Sequence, residues 1–508
     1  MKPTGLKMLL AGGGALSSGV LAQTSGDLTV LAMNVAGLPE ILQNNDVPGD
    51  KTTNSRTIGS YFAKFNYDII HVQENKNQNK KNHHNRRSLV GPDVRMSHQL
   101  LPSPLTLLSM VVYDLYSVLR ILHVWNGVDD KDIHASRALI QHVIVSTMNS
   151  ISIIILKNPI HHPCDFNYHA YIYETDNHPY RTATSGGVPF GSGLNTLSNH
   201  DWVDFERVKW SQCSNASGAD CLTPKGFTFM RVRLAEGVWV DVYNLHTDAG
   251  TETDDLAARN SNLHQVADYI SANSAGNAVL NGLADVWVQL ERGGVVPTVE
   301  TICSNPSTTN YCETVDKAFY RGGPVLGLEA TYFSYESSRF LQPDGNVLSD
   351  HNPITANFTW SVSASLRQSD FSGGPHGTWF SDLPALAGKS RPKAAALTFR
   401  GGNRVDAVGL TLADGTVLSH GGAGGTAATL ALGASEFWTA AKVCWGQKDG
   451  RTRIFSILAT TSAGRTLASG AQTSDCATHT APAGWQIVGF LGRAGDEVDR
   501  LAFAYAPQ

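Results

Sequence analysis

The sequence contains no uninterrupted apolar run long enough to cross a bilayer, and it has no excess of positive charge. The apolar stretches near 105–124 and 143–156 are broken by charged residues or are too short for a transmembrane helix. The formal net charge of −5 argues against a broad basic surface for nucleic acid, although it does not exclude a local groove. With 508 residues, 42% of them hydrophobic, the chain is long enough for two or more domains with well-filled cores.

Cysteine is scarce, and its spacing favours export. Six of the seven cysteines fall into pairs that are close in sequence: Cys213 with Cys221, Cys303 with Cys312, and Cys444 with Cys476. Residues 1–22 contain two lysines, an apolar stretch and small residues at the end, which is the pattern of a signal peptide. A buried helix is the alternative, but three consecutive glycines disfavour it. We therefore expect a secreted, extracellular protein with three disulfides.

Residues 75–164 differ from the sequence on either side of them. They show no sustained period of 2 or 3.6 residues, and they contain the one unpaired cysteine, Cys164. If they are removed, Glu74 is followed by the segment 165–173, which we interpret as a strand. We interpret 75–164 as an intron-derived insert, because a long loop without structure of its own is uncommon. A true surface insertion or lid loop is the alternative.

Polar residues with catalytic potential follow several β-type runs. Side chains at the ends of strands can be presented to a cleft. An Asp-His pair, such as Asp350-His351, can exchange a proton near neutral pH, since the ordinary pKa of histidine is about 6.5. A turn with a solvated histidine is the simpler alternative for this pair. The other polar residues of this kind are Asn34, Glu74, His246 and Asp316.

The order of these motifs resembles the endonuclease/exonuclease/phosphatase family, the deoxyribonuclease-I-like phosphoesterases. The matching motifs are Asn34, Gln73-Glu74, Asn244-Leu-His246, Val315-Asp-x-x-Phe319 and Ser349-Asp-His-x-Pro353. The resemblance implies an α/β four-layer sandwich over 23–362, in which two packed β-sheets are flanked by helices. It implies a phosphoester substrate, such as DNA, an inositol phosphate or a phospholipid such as sphingomyelin.

The resemblance also implies a role for each residue. Asn34 and Glu74 would hold Mg²⁺ or Mn²⁺, which prefer oxygen ligands. His246 and Asp316 would lie beside the phosphate. His351, oriented by Asp350, would act as the general acid or base. For each of these residues a structural role, such as capping or a turn, is the alternative.

One family motif is missing from the sequence. The family places a Gly-Asp-x-Asn segment after the strand that follows a helix, and 255–270 has the apolar spacing of that helix. Here the expected strand, 277–280, runs directly into Asn281. Neither Asn281 nor Asp285 is a convincing substitute, so we infer a deletion near 280. Because the lost groups would position the nucleophile and stabilise the transition state, we predict that the chain as written is weakly active or inactive.

A glycine-rich loop lies between the predicted insert and the second half of the first domain. It covers residues 184–195 and ends in a Gly-Leu-Asn segment, which in the family borders the cleft. Backbone amides exposed by such glycines can contact phosphate oxygens. A structural turn is an equally good interpretation.

The C-terminal part of the chain has a different pattern. Composition shifts to Ser, Ala and Gly near 360–370, and short alternating runs follow, including 405–412 and 485–490. Residues 368–508 are similar to jacalin-type lectins, whose β-prism has three four-stranded sheets. The resemblance implies glycan binding through four residues: Gly373, Gly374, Gly495 and Asp499. Gly492 with Asp496 is a second possible register, and the aromatic residue common in this loop of the family is absent.

Two functions remain open at the level of sequence. The first is a secreted metal-dependent phosphoesterase that carries a glycan-binding module. The second is a jacalin-type lectin that carries an inactive phosphoesterase-like domain, and the missing Gly-Asp-x-Asn segment favours it for this chain. The C-terminal module could also be a β-scaffold that does not bind sugar.

Overall fold

The computed structural model describes residues 23–37, 47–74, 168–183, 191–218, 220–298 and 301–508. The predicted signal peptide (1–22), the predicted insert (75–164) with Cys164, and most of the glycine-rich loop lie outside the described residues. The described part is built mostly from β-strands with few helices. No helix in these described ranges is long and apolar enough to span a membrane.

The first domain contains two sheets. The six-stranded sheet A has the order β10-β11-β1-β2-β4-β3, and the five-stranded sheet B has the order β5-β6-β7-β8-β9. The strands are β1 (Ser25–Asn34), β2 (Ile69–Gln73), β3 (Tyr180–Arg181), β4 (Asn195–Ser198), β5 (Trp202–Lys209), β6 (Gly226–Ala235), β7 (Val238–Leu245), β8 (Val279–Asp285), β9 (Phe319–Arg321), β10 (Leu326–Tyr335) and β11 (Ile354–Val362). The helices are α1 (Lys51–Phe65), α2 (Tyr168–Thr175), α3 (Thr253–Asn273) and α4 (Val286–Glu291).

Alternation along the strands separates three apolar clusters. On β1, Leu28 belongs to a cluster shared with strands of sheet B, whereas Leu31 and Met33 join a cluster with α1 and α2. On β6, Met230 lies in the shared cluster, whereas Phe229 packs in a third cluster with α3. Because successive strand residues point to opposite faces, each sheet has one face in the shared cluster and one face toward helices.

The sequence-based elements of this domain are confirmed with one exception. The predicted helix over 255–270 is part of α3, and it begins with a reciprocal capping box between Glu252 and Asp255. The predicted strand over 165–173 is wrong where it is described, because α2 begins at Tyr168. This segment packs as a helix on α1, and a side chain at Gly59 would meet the Ile172 carbonyl oxygen.

The C-terminal domain has three sheets around one apolar core. Their orders are β12-β24-β23-β14 with β13 beside β24, β17-β16-β15-β18, and β21-β20-β19-β22. The strands are β12 (Arg367–Gln368), β13 (Ser372–Gly373), β14 (Thr378–Ser381), β15 (Ala394–Gly401), β16 (Val405–Leu412), β17 (Val417–Gly421), β18 (Thr426–Ala431), β19 (Trp438–Lys448), β20 (Arg451–Thr461), β21 (Thr466–Gly470), β22 (Asp475–Thr480), β23 (Trp485–Ala494) and β24 (Val498–Pro507); the short helix α5 is Leu383–Leu386. The β-prism expected from the resemblance is therefore present.

All three predicted disulfides are formed. They join Cys213 to Cys221, Cys303 to Cys312, and Cys444 to Cys476. The last pair lies directly across β19 and β22, where the two cysteines are paired in register.

The two domains meet through a cluster of buried charges. The Asp204 carboxylate on β5 accepts hydrogen bonds from Arg231 of its own domain and from Arg500 of the β-prism, and it also pairs with Arg493 at 3.1 Å. The Arg231 guanidinium lies 3.4 Å from the centre of the Trp379 ring of the β-prism. Both side chains of the Asp204–Arg231 pair are almost fully buried. This cluster fixes the β-prism to sheet B.

Candidate active site

The candidate site begins at the neighbouring ends of β1 and β2. These strands are parallel, and Asn34 is paired in register with Gln73, so Asn34 and Glu74 leave sheet A at the same edge. Glu74 has a φ of 57°, in the left-handed region that a non-glycine residue adopts at a cost. Such backbone strain is found most often at functional sites, and here it directs a side chain at the end of a buried strand.

A buried polar link joins this edge to sheet B. The Gln73 side chain donates to the Asn244 Oδ1 atom at 2.7 Å, and Asn244 donates to the Val72 carbonyl oxygen at 3.1 Å. Asn244 lies near the end of β7, two residues before His246. As a result, the His246 Nε2 atom lies 4.0 Å from a carboxylate oxygen of Glu74. The two predicted residues, 172 positions apart in the sequence, meet across the sheets.

His351 and Asp316 form the second pair of the site. The His351 Nδ1 atom lies 2.8 Å from the Asp316 Oδ2 atom, and both side chains remain partly exposed. The orienting carboxylate is therefore Asp316 and not the adjacent Asp350, which is exposed to solvent. The geometry leaves the Nε2 atom of His351 free of this hydrogen bond and able to face a ligand.

Electrostatics keep His351 charged near neutral pH. Burial alone would lower its pKa, but the hydrogen bond to Asp316 and the charges of Asp316, Asp350 and Glu74 outweigh burial and raise the pKa to about 9. A protonated imidazole can donate a proton to an oxygen that gains negative charge. The same carboxylates create a negative potential, which would repel a phosphoester anion unless a cation is present.

The segment that carries His351 is held by a disulfide-closed loop. The Asn305 side chain donates to the Ser349 carbonyl oxygen at 2.8 Å. The Asn352 side chain accepts from the Ser307 backbone N–H at 2.9 Å and donates to the Ser304 carbonyl oxygen at 3.0 Å. These contacts all involve the loop closed by the disulfide at residues 303 and 312. Sequence reasoning missed Asn305 and Asn352, although the disulfide next to Asp316 was a signal that this loop is ordered.

Ser349 connects this segment back to β1. Its hydroxyl donates to the Asn34 carbonyl oxygen at 2.6 Å. The Asn34 side chain oxygen accepts from the Ala36 backbone N–H at 2.9 Å, so that oxygen already serves a turn. Asn34 is therefore brought to the site, but as a buried turn residue whose amide oxygen has a structural partner.

The position of the missing family segment is irregular in the structure. In the pairing of β8 with β9, both Leu280 and Ala284 face Tyr320, so residues 281–283 leave the ladder. Asp285 caps α4, since its carboxylate accepts from the backbone N–H groups of Trp287 and Val288. Asp285 is thus occupied by the helix and does not replace the missing aspartate.

The side chains of the site suit a hard cation, such as Mg²⁺, that takes few of its ligands from the protein. Mg²⁺ binds through one or two carboxylates and keeps several waters. Glu74 supplies such a carboxylate, and the surrounding negative potential favours a cation. Within the described ranges no group of three or more His, Cys, Asp or Glu side chains forms a ready-made metal cage. A cation held by Glu74 would therefore take most of its ligands from outside the protein.

The end of the glycine-rich loop lies beside the polar link. The Asn195 carbonyl oxygen accepts from the Asn244 side chain at 3.0 Å. Arg207 donates to the Asn195 Oδ1 atom at 3.1 Å and to the Ala183 carbonyl oxygen at 2.6 Å, so it holds both ends of the loop. The expectation that the Gly-Leu-Asn segment borders the cleft thus fits its described part.

The four residues expected to bind glycan lie at one corner of the β-prism. The Gly374 backbone N–H donates to the Asp499 carbonyl oxygen at 2.8 Å, which brings the start of the domain to β24. Gly495 lies in the turn before Asp499, where an added side chain would meet nothing within 4 Å. The Asp499 side chain, only 1% exposed, forms an ion pair with Arg453. Arg453 was not predicted, because nothing in the local sequence links it to residue 499.

Comparisons with known proteins agree with this division. Residues 144–290 match the Endonuclease/Exonuclease/phosphatase family 2, and residues 369–504 match the Jacalin-like lectin domain family. Of the predicted catalytic and metal residues, His246 lies inside the first match; all four predicted glycan residues lie inside the second.

The curated relatives are bacterial. Sphingomyelinases of Mycobacterium bovis and Mycobacterium tuberculosis are 37% identical over 223 residues, which cover 38% of this chain. The chain spans about 44% of the length of these relatives.

Solved structures that are similar to this chain include two lectins from plants. The Malaysian banana lectin is 23% identical, covering 28% of this chain and 98% of its own, with a TM-score of 0.25. A mannose-binding jacalin-related lectin from Ananas comosus is 22% identical, covering 28% of this chain and 99% of its own, with a TM-score of 0.25.

Proposed function

Since the chain contains an endonuclease/exonuclease/phosphatase family domain followed by a jacalin-like lectin domain, we propose that it derives from a secreted, metal-dependent phosphoesterase with a glycan-binding module. One observation carries the catalytic part. Glu74, His246, Asp316 and His351 come from four separate segments and meet where the strands of both sheets end. Random polar turns would not converge in this way. The three clusters of apolar residues support the four-layer sandwich that the family implies.

Each residue has a chemical role in this proposal. Glu74 would hold Mg²⁺ or Mn²⁺, with Asn34 beside it, and the cation would neutralise charge that develops on the phosphate. His246 donates a hydrogen bond to a phosphate oxygen. His351, protonated and held by Asp316, gives its proton to the leaving oxygen as the ester P–O bond breaks, while a water oxygen bonds to phosphorus and that water releases a proton to the solvent. Asp350 adds negative charge that keeps His351 protonated.

We further propose that this chain is catalytically impaired. Residues 281–283 leave the β8 ladder where the family has Gly-Asp-x-Asn, and the one nearby aspartate, Asp285, caps a helix. Without donors aimed at the phosphate and the attacking water, the surviving residues bind and protonate but do not orient the nucleophile. Losing one member of a set that acts as a unit costs several orders of magnitude in rate. The interpretation of 75–164 as intron-derived would be a second fault of the same origin.

The phosphodiester of a phospholipid is the substrate class we favour. The mycobacterial relatives are sphingomyelinases, and the matched family also fits DNA or an inositol phosphate. The net charge of −5 disfavours tight binding of a DNA duplex. Three disulfides support an extracellular location for the enzyme.

The second candidate function is a lectin with an inactive first domain. The irregular β8 favours it, because the β-prism has all its sheets while the first domain lacks a catalytic segment. The two functions predict different results when the Gly-Asp-x-Asn segment is restored. The phosphoesterase function predicts that turnover returns, and the lectin function predicts that it does not.

The test uses a variant with a Gly-Asp-x-Asn segment inserted after Leu280. This restored chain is assayed with Mg²⁺ on sphingomyelin, an inositol phosphate and duplex DNA, and Glu74→Gln is made in the same background. We expect sphingomyelin hydrolysis that requires Mg²⁺ and falls strongly in the Glu74→Gln variant. Absence of hydrolysis of all three substrates by a folded restored chain would favour the lectin function instead.

A further inference from the structure

The glycan corner of the β-prism contains more positive charge than its predicted residues suggest. Asp499 is packed beneath the loop that begins at Gly373, where an added side chain at Gly377 would meet its Oδ2 atom at 2.5 Å. Arg453, on β20, forms the ion pair with Asp499 and lies 3.5 Å from Glu497. A carboxylate that is buried and paired in this way is not free to accept hydroxyl groups of a neutral sugar.

A second arginine on the same strand has no such internal partner. Arg451 lies two residues before Arg453, so both side chains leave the same face of β20. Arg451 is exposed, and within the described ranges it takes part in no ion pair. Glu497, the other acid of the corner, is already held by two hydrogen bonds of 2.8 Å from Arg404. The corner therefore combines two acids that are already paired, Asp499 and Glu497, with an arginine that takes part in no ion pair; Asp496, in the same turn, is exposed.

His376, in the loop after Gly374, reports the resulting potential. Burial lowers its pKa, and the charges of Arg453, Arg451, Arg500 and Arg493 lower it further. Arg493 and Arg500 are themselves paired with Asp204, so Arg451 and Arg453 are the guanidinium groups that an entering anionic group could contact, and of these two Arg451 is exposed.

We propose that this corner selects sugars that carry a carboxylate or a sulfate, and that Arg453 determines this specificity. The anionic group of the sugar takes the guanidinium of Arg453 from Asp499, with Arg451 as a second donor. Asp499, once released, accepts hydroxyl groups of the same sugar. A neutral sugar offers no replacement partner for Arg453 and must compete with the ion pair. The inference rests on the proposed glycan-binding function of the domain.

The experiment measures sugar binding to the full chain by titration calorimetry. The probes are methyl α-mannoside and methyl α-galactoside as neutral sugars, and a galacturonic acid trimer and galactose 6-sulfate as anionic ones. The variant is Arg453→Gln, which removes the charge. The matched control is Arg465→Gln, which removes the ion pair between Arg465 and Glu436. Arg465 lies just beyond the other end of β20. Thermal melts of both variants verify that the β-prism is folded.

We expect at least one anionic probe to bind the natural chain about tenfold more tightly than either neutral sugar, the scale of a charge-assisted contact. In Arg453→Gln this preference should disappear, with weaker binding of the anionic probe and tighter binding of the neutral ones, while Arg465→Gln leaves it unchanged. Binding of neutral sugars without preference, or a preference that Arg453→Gln does not alter, overturns the inference alone. If no probe binds any folded variant, the proposed glycan-binding function fails as well.

Discussion

The two candidate sites of this molecule differ in what accompanies the expected residues. The first domain brings Glu74, His246, Asp316 and His351 together beside β8, whose sequence has no Gly-Asp-x-Asn motif. The β-prism has all four expected glycan residues at one corner, where Asp499 is paired with Arg453. In the functions proposed above, the absent motif removes catalytic groups, whereas Arg453 changes which ligand fits.

The contact between the domains and the candidate active site lie toward different ends of β7. Trp239, near the start of β7, packs on Phe371 of the β-prism with ring centres 5.0 Å apart. His246 follows the other end of β7, about 23 Å away at the usual rise of a strand.

The largest expected effect concerns the first domain. In the restored chain, His351→Ala should lower the rate of phosphodiester hydrolysis by about 10²–10⁴-fold, because a positioned proton donor contributes on that scale. Steady-state kinetics on a chromogenic phosphodiester measure it. His264→Ala, an exposed position on α3, is the control and should leave the rate unchanged. An equal rate in His351→Ala would remove His351 from the chemistry.

The next effect tests whether the two regions are one folding unit. Asp204→Asn leaves the buried guanidinium group of Arg500 without its carboxylate and takes one of two carboxylate partners from Arg231 and Arg493, so we expect a loss of about 3–5 kcal/mol in the free energy of unfolding. Asp370→Asn breaks an interdomain pair with Arg233 that is about one-third exposed, and it should cost about 0–1 kcal/mol. Denaturant titration compares the two variants. Similar small losses in both would mean that the Asp204 cluster does not hold the domains together.

A smaller effect concerns the loop beneath His351. Asn352→Ala leaves the buried Ser307 N–H without a partner and removes the hydrogen bond to the carbonyl of the exposed Ser304, which together cost about 1–3 kcal/mol. The control Asn346→Ala removes an exposed turn contact with Asp344 and should have little effect. Thermal melts measure the stability of each variant. The hydrolysis rate is then measured for each variant in the restored chain. A stable Asn352→Ala chain with unchanged rate would show that this loop does not position the site.

The last effect is a pH dependence that arises in the first domain. Because the folded pKa of His351 is raised to about 9 from an ordinary value of 6.5, the pair with Asp316 stabilises the fold fully below pH 6.5. That stabilisation is lost as the pH rises through about 9. Histidine NMR titration in metal-free buffer should find one imidazole with this raised pKa, and Asp316→Asn should return it toward the ordinary value. If the imidazole of His351 titrated near pH 6.5 in the natural chain, the pairing of His351 with Asp316 would be contradicted.

The sequence predicted which residues meet, but not how they are held. Motif order assigned Glu74 and His246 to one site, and the two side chains lie 4.0 Å apart. The spacing of the cysteines predicted all three disulfides. The partner of His351 was assigned to the adjacent Asp350, whereas the structure has Asp316, 35 positions away. Local sequence does not encode such a contact, since it depends on how the disulfide loop folds back. For the same reason, the local sequence did not predict that Arg453 pairs with Asp499, or that Asp204 pairs with arginines of the β-prism.

The segment 165–173 illustrates a different limit. Its aromatic and β-branched residues have high strand propensity, yet the chain forms α2 from Tyr168 because Tyr168 and Ile172 share one helical face toward α1. Tertiary packing therefore overrode propensity in this segment. The strands of the β-prism were predicted as strands because their apolar and polar residues alternate clearly.

The most direct measurement compares kcat and KM of the natural and restored chains on one soluble phosphodiester with Mg²⁺. If the natural chain keeps its binding residues and lacks only groups that stabilise the transition state, kcat should be lower by a hundredfold or more, while KM stays within about threefold. Equal kcat values in the two chains would contradict this, and so would a defect confined to KM.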